Sequence, residues 1–408
     1  MNNSKSCLAV LVGSVFLSMS AAPADELIRV DLISSYDGAA TWSLVNIPDS
    51  YVPGTPVPLV IGCHGMGGSA DDAITFLAGP TSQRGWILAA PQTHGERSDG
   101  ETSLAARAAQ HDLIDLLQYC MDNYDIDADR VYLSGASMGG MQTSISAAKY
   151  PDVFAAAWEW MGPADMEVIW YELDGSFLFQ ELADESVIEC GGKPDEQPFE
   201  YRRRSATEYA MNLRTVPFKI GHGRTDILVR PHHAKDLDRA IRAYDPLYYD
   251  GIYWHWGSHW VLPRHARMTV SWFEDKVLRP SPDFLLLTVD EDMRIHYLDV
   301  GPRQPDAEFA RLQSEVLPEI NTWDLQVQGA SRVGLYLADS ALDGGHDLAL
   351  DVLRAEPVDL EWIGITGEVG AVLRDNEPFS DYTLDSGTLT LHARESGIRS
   401  ETYAVLMN

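Results

Sequence analysis

A run of β-formers, Val131-Tyr132-Leu133-Ser134, breaks at Gly135-Ala136-Ser137-Met138-Gly139-Gly140 and is followed from Met141 to Lys149 by a helical pattern. Few folds accommodate a serine between glycines at a strand-to-helix turn. The serine takes a strained backbone conformation, and the glycines let neighbouring backbone approach closely enough to project its hydroxyl. The following helix directs its N-terminal amides at any negative charge that develops there. We therefore read Ser137 as a nucleophile and the Met138 N–H as an oxyanion donor. A bare G-x-S-x-G is common, and the flanking strand and helix give this one its weight.

The surroundings fit an α/β fold. From about Leu27 to Leu278, short β-rich runs alternate with helical patterns, which predicts a mostly parallel sheet with helices on both faces. The expected inner strands are 57–62, 86–90, 130–134, 155–160, 217–221 and 251–254, with helices over 103–124 and 232–244. After Arg279-Pro280-Ser281-Pro282 the texture changes. Residues 283–408 contain no Lys, and strand-like runs such as Phe284–Val289, Val333–Leu337, Leu348–Leu353 and Gly387–His392 lie between Gly, Asp and Asn turns. This predicts a small all-β sandwich-like domain behind a catalytic domain of residues 25–280.

Three further places complete the chemistry. The strand ending at Cys63 runs into His64-Gly65-Met66-Gly67-Gly68, a loop of the kind that supplies a second oxyanion N–H, from Gly65 or Met66. It is not a phosphate loop, since no G-K-[ST] closes it. An acid and a base should follow in the order Ser, Asp or Glu, His. Asp226, after the Phe218–Gly221 strand in Gly221-His222-Gly223-Arg224-Thr225-Asp226, is placed to orient an imidazole. His259, in Trp256-Gly257-Ser258-His259-Trp260, lies on the loop before the last helix, Pro263–Leu278, and is the expected base; His255 is the alternative. His222, His232 and His233 suit packing or surface roles. The chemistry requires no metal or organic cofactor.

These segments together resemble the α/β-hydrolase superfamily: Tyr36-Asp37-Gly38, the H-G-M-G-G loop, Arg84-Gly85-Trp86, Asp127–Tyr132, the G-A-S-M-G-G turn and Tyr150-Pro151-Asp152. Within it the chain is most similar to secreted feruloyl and acetylxylan esterases, and to the related polyhydroxyalkanoate depolymerases and prolyl-oligopeptidase-like hydrolases. The resemblance covers roughly residues 30–275. It implies a triad of Ser137, Asp226 and His259 acting on esters, polysaccharide-linked ones among them, in an α/β-hydrolase fold. Val229-Arg230 stands where many relatives have Val-Pro, and a long insertion spans 164–214.

That insertion is expected to shape specificity as a cap. Trp160, Trp170, Tyr171 and Trp260 are candidate substrate-binding residues, and packing of these aromatics against the sheet is the alternative. Arg202-Arg203-Arg204 fits a solvated or helix-capping run, and a carboxylate-binding arginine is the sharper possibility. Asp125, Asp127 and Asp129 alternate like calcium ligands, but no loop glycine or distal Glu completes the pattern, so a turn before a strand is expected.

Composition narrows partners more than chemistry. With 61 acidic against 30 basic residues the formal charge is −31. Such a surface repels phosphate backbones and anionic lipid, which argues against nucleic acid. Lys5, an apolar run over Leu8–Leu17 and Ala22-Pro23-Ala24 predict a cleaved signal peptide over residues 1–24, and so a secreted or periplasmic protein. No later run is long enough to span a membrane. Cys63, Cys120 and Cys190 would remain, an odd set allowing at most one disulfide. Two rival functions stand beside the esterase. A serine peptidase would use the same triad, although the few residues before the first hydrolase strand leave no room for the propeller typical of prolyl oligopeptidases. A carbohydrate-binding protein with an inactive hydrolase-like domain would need neither Asp226 nor His259.

Overall fold

The computed structural model describes residues 25–97 and 102–408, so the expected signal peptide lies outside the described residues. Eight strands build the first sheet: β1 (Glu26–Ile33), β2 (Ala40–Ile47), β3 (Val57–Cys63), β4 (Ile87–Gln92), β5 (Ile126–Ala136), β6 (Ala156–Trp160), β7 (Phe218–Gly223) and β8 (Tyr249–His255). Their order is β1-β2-β4-β3-β5-β6-β7-β8. β1 and β2 form an antiparallel hairpin at one edge, and β2 meets β4 antiparallel. All pairings from β4 to β8 are parallel. The expected strands are all present, displaced by a few residues at their ends. The edge hairpin was not among them, because β1 is largely exposed and lacks the unbroken apolar run of an inner strand.

Helices α1 (Ala70–Ser82), α2 (Arg107–Asn123), α3 (Met138–Lys149), α7 (His232–Arg242) and α8 (Pro263–Phe273) cover the sheet. One face packs Leu113 and Leu116 of α2, Ile145 of α3 and Leu237 of α7. The other packs Ile74 and Leu77 of α1, Val270 and Phe273 of α8, and the stacked rings of Trp158 and Trp160. With both faces covered, β3 is buried from Pro58 to Cys63, which is why its sequence is apolar without alternation. Between β6 and β7 the chain forms α4 (Met166–Leu173), α5 (Gln180–Cys190) and α6 (Pro198–Arg203).

Residues beyond Pro282 form two sheets of six and seven strands around one core that includes Trp323, Leu350, Trp362, Leu391 and Tyr403. The strand Ala310–Leu317 shows the period directly, alternating buried and half-buried positions. The sandwich is mostly antiparallel, with two parallel pairings inside it.

Two details sharpen the sequence reading and a third, at Arg203 and Arg204, corrects it. Cys63, Cys120 and Cys190 are all free and buried, and burial pushes the Cys63 and Cys120 thiols up to about 12. The Asp125–Asp129 stretch is mostly strand: β5 starts at Ile126, Asp127 pairs with Arg130, and Asp125 accepts from the Gly54 N–H and the Tyr51 hydroxyl. Arg203 and Arg204 are not solvated. Both are buried, Arg203 on Asp290 and Glu200, Arg204 on Glu189 and Glu200, because acidic partners were folded in with them.

Candidate active site

The site sits at the carboxyl ends of β3, β5, β7 and β8, where open α/β sheets place their ligands. Ser137 joins β5 to α3 with φ 60° and ψ −124°, a conformation that L-residues rarely hold. Glycine at 139 makes the turn possible, since a Cβ there would lie 2.2 Å from the Cys63 carbonyl oxygen at the end of β3. The Ser137 N–H donates to the Trp160 carbonyl (2.8 Å) and fixes the turn to β6.

The Ser137 hydroxyl lies 2.9 Å from His259 Nε2, and His259 Nδ1 lies 2.7 Å from Asp226 Oδ2. Asp226 is buried after β7, and its other oxygen accepts the N–H groups of Leu228 (3.0 Å) and Val229 (3.1 Å). With the carboxylate accepting at Nδ1–H, Nε2 is left to accept the serine proton. His222 supports this loop from β7, donating from Nε2 to the Val229 carbonyl (2.9 Å), and burial lowers its pKa to about 4. His255 is buried four residues before His259, packed against His265 and Trp160 with no hydrogen-bond partner for either ring nitrogen among the described residues. The geometry therefore brings His259, and not His255, to Ser137.

The H-G-M-G-G loop lies against the turn: a Cβ on Gly65 would sit 3.8 Å from Ser137 Cβ. Met138 is the first residue of α3, so its N–H has no acceptor within the helix. Ser137, His259, Gly65, Met66 and Met138 all border one cavity of about 680 Å³. Met166, Ile169 and Leu173 of α4 and Leu182 and Ser186 of α5 form another of its walls, so part of the insertion borders the same cavity as Ser137.

Of the aromatics singled out, Trp260 lines this cavity and three others do not. Trp160 is fully buried on the opposite face of the sheet, stacked on Trp158 and His265 with its indole N–H on Thr269. Trp170 is buried inside the insertion, and Tyr171 is exposed away from the cavity wall. Side-chain direction on a strand or short helix decides these cases, and residue type does not. Leu104 and Met161, which line the cavity, went unnoticed in the sequence because their backbone conformation is set by tertiary contacts.

Glu172, His232 and His233 form a cluster of metal-ligating types. The donor set does not fit a cation. The Ala164 N–H donates to His233 Nδ1 (3.3 Å), so His233 carries its proton on Nε2 and gives it to Glu172 Oε2 (3.3 Å); His232 and the Arg230 guanidinium occupy Oε1. The cluster clasps α4 to the start of α7.

Strand order and the turn at Ser137 define an α/β-hydrolase fold. The sequence model of the prolyl oligopeptidase family matches residues 76–276, just under half the chain. Feruloyl esterase B of Neurospora crassa is 32% identical over 126 residues, 28% of this chain and 43% of that protein. Acetylxylan esterase of Coprinopsis cinerea is 30% identical over 116 residues, 26% of this chain and 31% of that protein, so the chain spans less than half the length of either relative. Among solved structures, acylaminoacyl peptidase of Pyrococcus horikoshii superposes with a TM-score of 0.50 at 17% identity, covering 63% of this chain and 43% of that one. A puromycin-hydrolysing peptidase of Mycobacterium tuberculosis does so with a TM-score of 0.50 at 20% identity, covering 62% and 39%.

Proposed function

We propose that the protein is a secreted or periplasmic serine hydrolase of carboxylic esters. The observation that carries this reading is the unbroken relay from Ser137 through His259 to Asp226 at the edge of an apolar cavity. Ser137 Oγ attacks the ester carbonyl carbon while its proton passes to His259 Nε2, and Asp226 stabilises the imidazolium that results. The N–H groups of Met138 and of Met66 or Gly65 hold the oxyanion. As the intermediate collapses, the bond to the alkoxy oxygen breaks and His259 gives that oxygen its proton, leaving Ser137 acylated. Water then attacks the acyl-enzyme, losing a proton to His259, and the acid departs as Ser137 regains its hydrogen.

Similarity to feruloyl and acetylxylan esterases supports esters as substrates, and the predicted leader supports export. The peptidase reading draws on the family match and the fold neighbours. The cavity favours the ester, because among the described residues no Lys or Arg lines it and the carboxylate that does, Asp72, accepts the Ser69 N–H at the start of α1. A peptide carboxylate finds no Lys or Arg there among the described residues. Ser137→Ala should remove hydrolysis of a chromogenic ester, by about 10⁶-fold in kcat by analogy with other serine hydrolases, while the circular dichroism spectrum stays unchanged. Retained ester hydrolysis would overturn the assignment, and preference for a peptide amide over esters would overturn the substrate class.

A further inference from the structure

Eleven described residues other than glycine have positive φ, and three of them, Leu104 (44°), Ser137 (60°) and Met161 (51°), line the same cavity. The serine is explained by its turn. Leu104 and Met161 are the bulky apolar members of the eleven, and such residues stay left-handed only where their surroundings hold them. Both are held. The Met161 N–H donates to the Gly221 carbonyl (2.8 Å), and the next N–H, of Gly162, donates to Glu159 (2.7 Å), a carboxyl that burial keeps well above its usual range. The Leu104 carbonyl accepts from the buried Arg204 (3.3 Å), and its N–H meets the sulfur of Met138 (3.4 Å). Strain of this kind at a cavity wall points to a role for the residues it holds there.

The rest of the wall agrees. Met66, Met138 and Met166 join Met161, so four methionines line one space beside Ile169, Leu173 and Leu228. Methionine fills irregular gaps and adapts to the shape of an apolar guest. The polar side chains are committed or peripheral: Ser186 donates to the Leu182 carbonyl, His64 contacts the Gly65 carbonyl and Thr93, and Thr75 is exposed at the rim. A space of about 680 Å³ is far larger than an acetyl group requires, and among its described lining residues apolar side chains outnumber polar ones, with Asp72 held by the Ser69 N–H.

Building on the ester-hydrolase reading, we infer that this cavity selects uncharged acyl chains of medium length over acetyl, and that Met161 is a specificity-determining residue setting the length accepted. The test is kcat/KM for 4-nitrophenyl acetate, butyrate, octanoate and dodecanoate with the full chain and with Met161→Gly and Met161→Phe. Glycine accepts the left-handed backbone without strain, so Met161→Gly alters the wall while sparing the turn. The native protein should favour octanoate over acetate by about tenfold or more. Met161→Gly should raise the dodecanoate-to-butyrate ratio several-fold, and Met161→Phe should lower it. Circular dichroism and labelling of Ser137 by a fluorophosphonate establish that each variant is folded and assembled. Acetate equal to or better than octanoate, with Ser137 labelled, would overturn the inference and leave the hydrolase standing. The same chain-length ratios in labelled variants and the native chain would overturn the role of Met161. Failure to hydrolyse any ester, with Ser137 unlabelled, would instead overturn the hydrolase reading.

Discussion

The parallel sheet and the C-terminal sandwich use charge in opposite ways. In the first region the Ser137–His259–Asp226 relay gathers at the ends of strands, in a cavity open to ligand. The second buries charge inside itself, Arg354 on Glu401, and again where the sandwich meets the first region. Lys149, fully buried at the end of α3, pairs with Asp290 (2.8 Å) and Glu291, and Arg203 of α6 reaches Asp290 and the Pro305 carbonyl. Asn212 exchanges two hydrogen bonds with the Thr288 backbone. The sandwich is thus fastened to α3, the helix that follows Ser137, and to the insertion that borders the cavity. One region carries the groups proposed to react, and the other is fastened to the elements that position them.

The comparison can be broken from either side. The largest expected effect is on the reactive side: Asp226→Asn should lower kcat for ester hydrolysis by about 10⁴-fold with little change in thermal midpoint, since it disturbs the tautomer and orientation of His259. Steady-state rates beside a melting curve check this, and a loss of less than tenfold would remove Asp226 from the relay. On the bracing side, Lys149→Met leaves Asp290 and Glu291 buried without their ammonium partner and should cost about 3–5 kcal/mol of stability. Urea unfolding measures it, and an unchanged midpoint would show that the junction carries no such dependence.

Acid should sharpen the contrast. Burial lowers the pKa of His222, His233 and His265, all in the first region, to about 4. Each stays neutral in the folded chain but takes up a proton near pH 6.5 when unfolded, so its contribution is intact above about pH 6.5 and is lost as the pH falls towards 4. The thermal midpoint should decline across that window, and a midpoint that holds down to pH 4 would contradict the burial of these rings. The smallest effect concerns the clasp on α4. Glu172→Gln should cost about 1 kcal/mol or less, and zinc should not raise the melting temperature of the native protein; a metal-dependent rise would contradict the tautomer of His233.

The difference between the regions also governs what could be read from the chain. Ser137, Asp226 and His259 were legible because each sits at the end of a β-rich run, in an order the chemistry requires, and the choice of His259 over His255 rested on loop placement. The sandwich was legible as a change of texture after Pro282, and its junction was not: Lys149 and Arg203 look like ordinary surface cations until Asp290 is folded against them. Trp160 was misplaced because nothing local says which face of β6 it occupies. Met161 and Leu104 were invisible as site residues, since a left-handed φ at such residues is imposed by distant partners, Gly221 for one and Arg204 for the other.

The central claim is that Ser137 is an activated nucleophile. It is tested most directly by treating the intact protein with a fluorophosphonate and locating the adduct by peptide mass spectrometry. The account predicts one modified residue, Ser137, with labelling abolished in His259→Ala. An unmodified Ser137, or labelling that survives loss of His259 at the same rate, would contradict it.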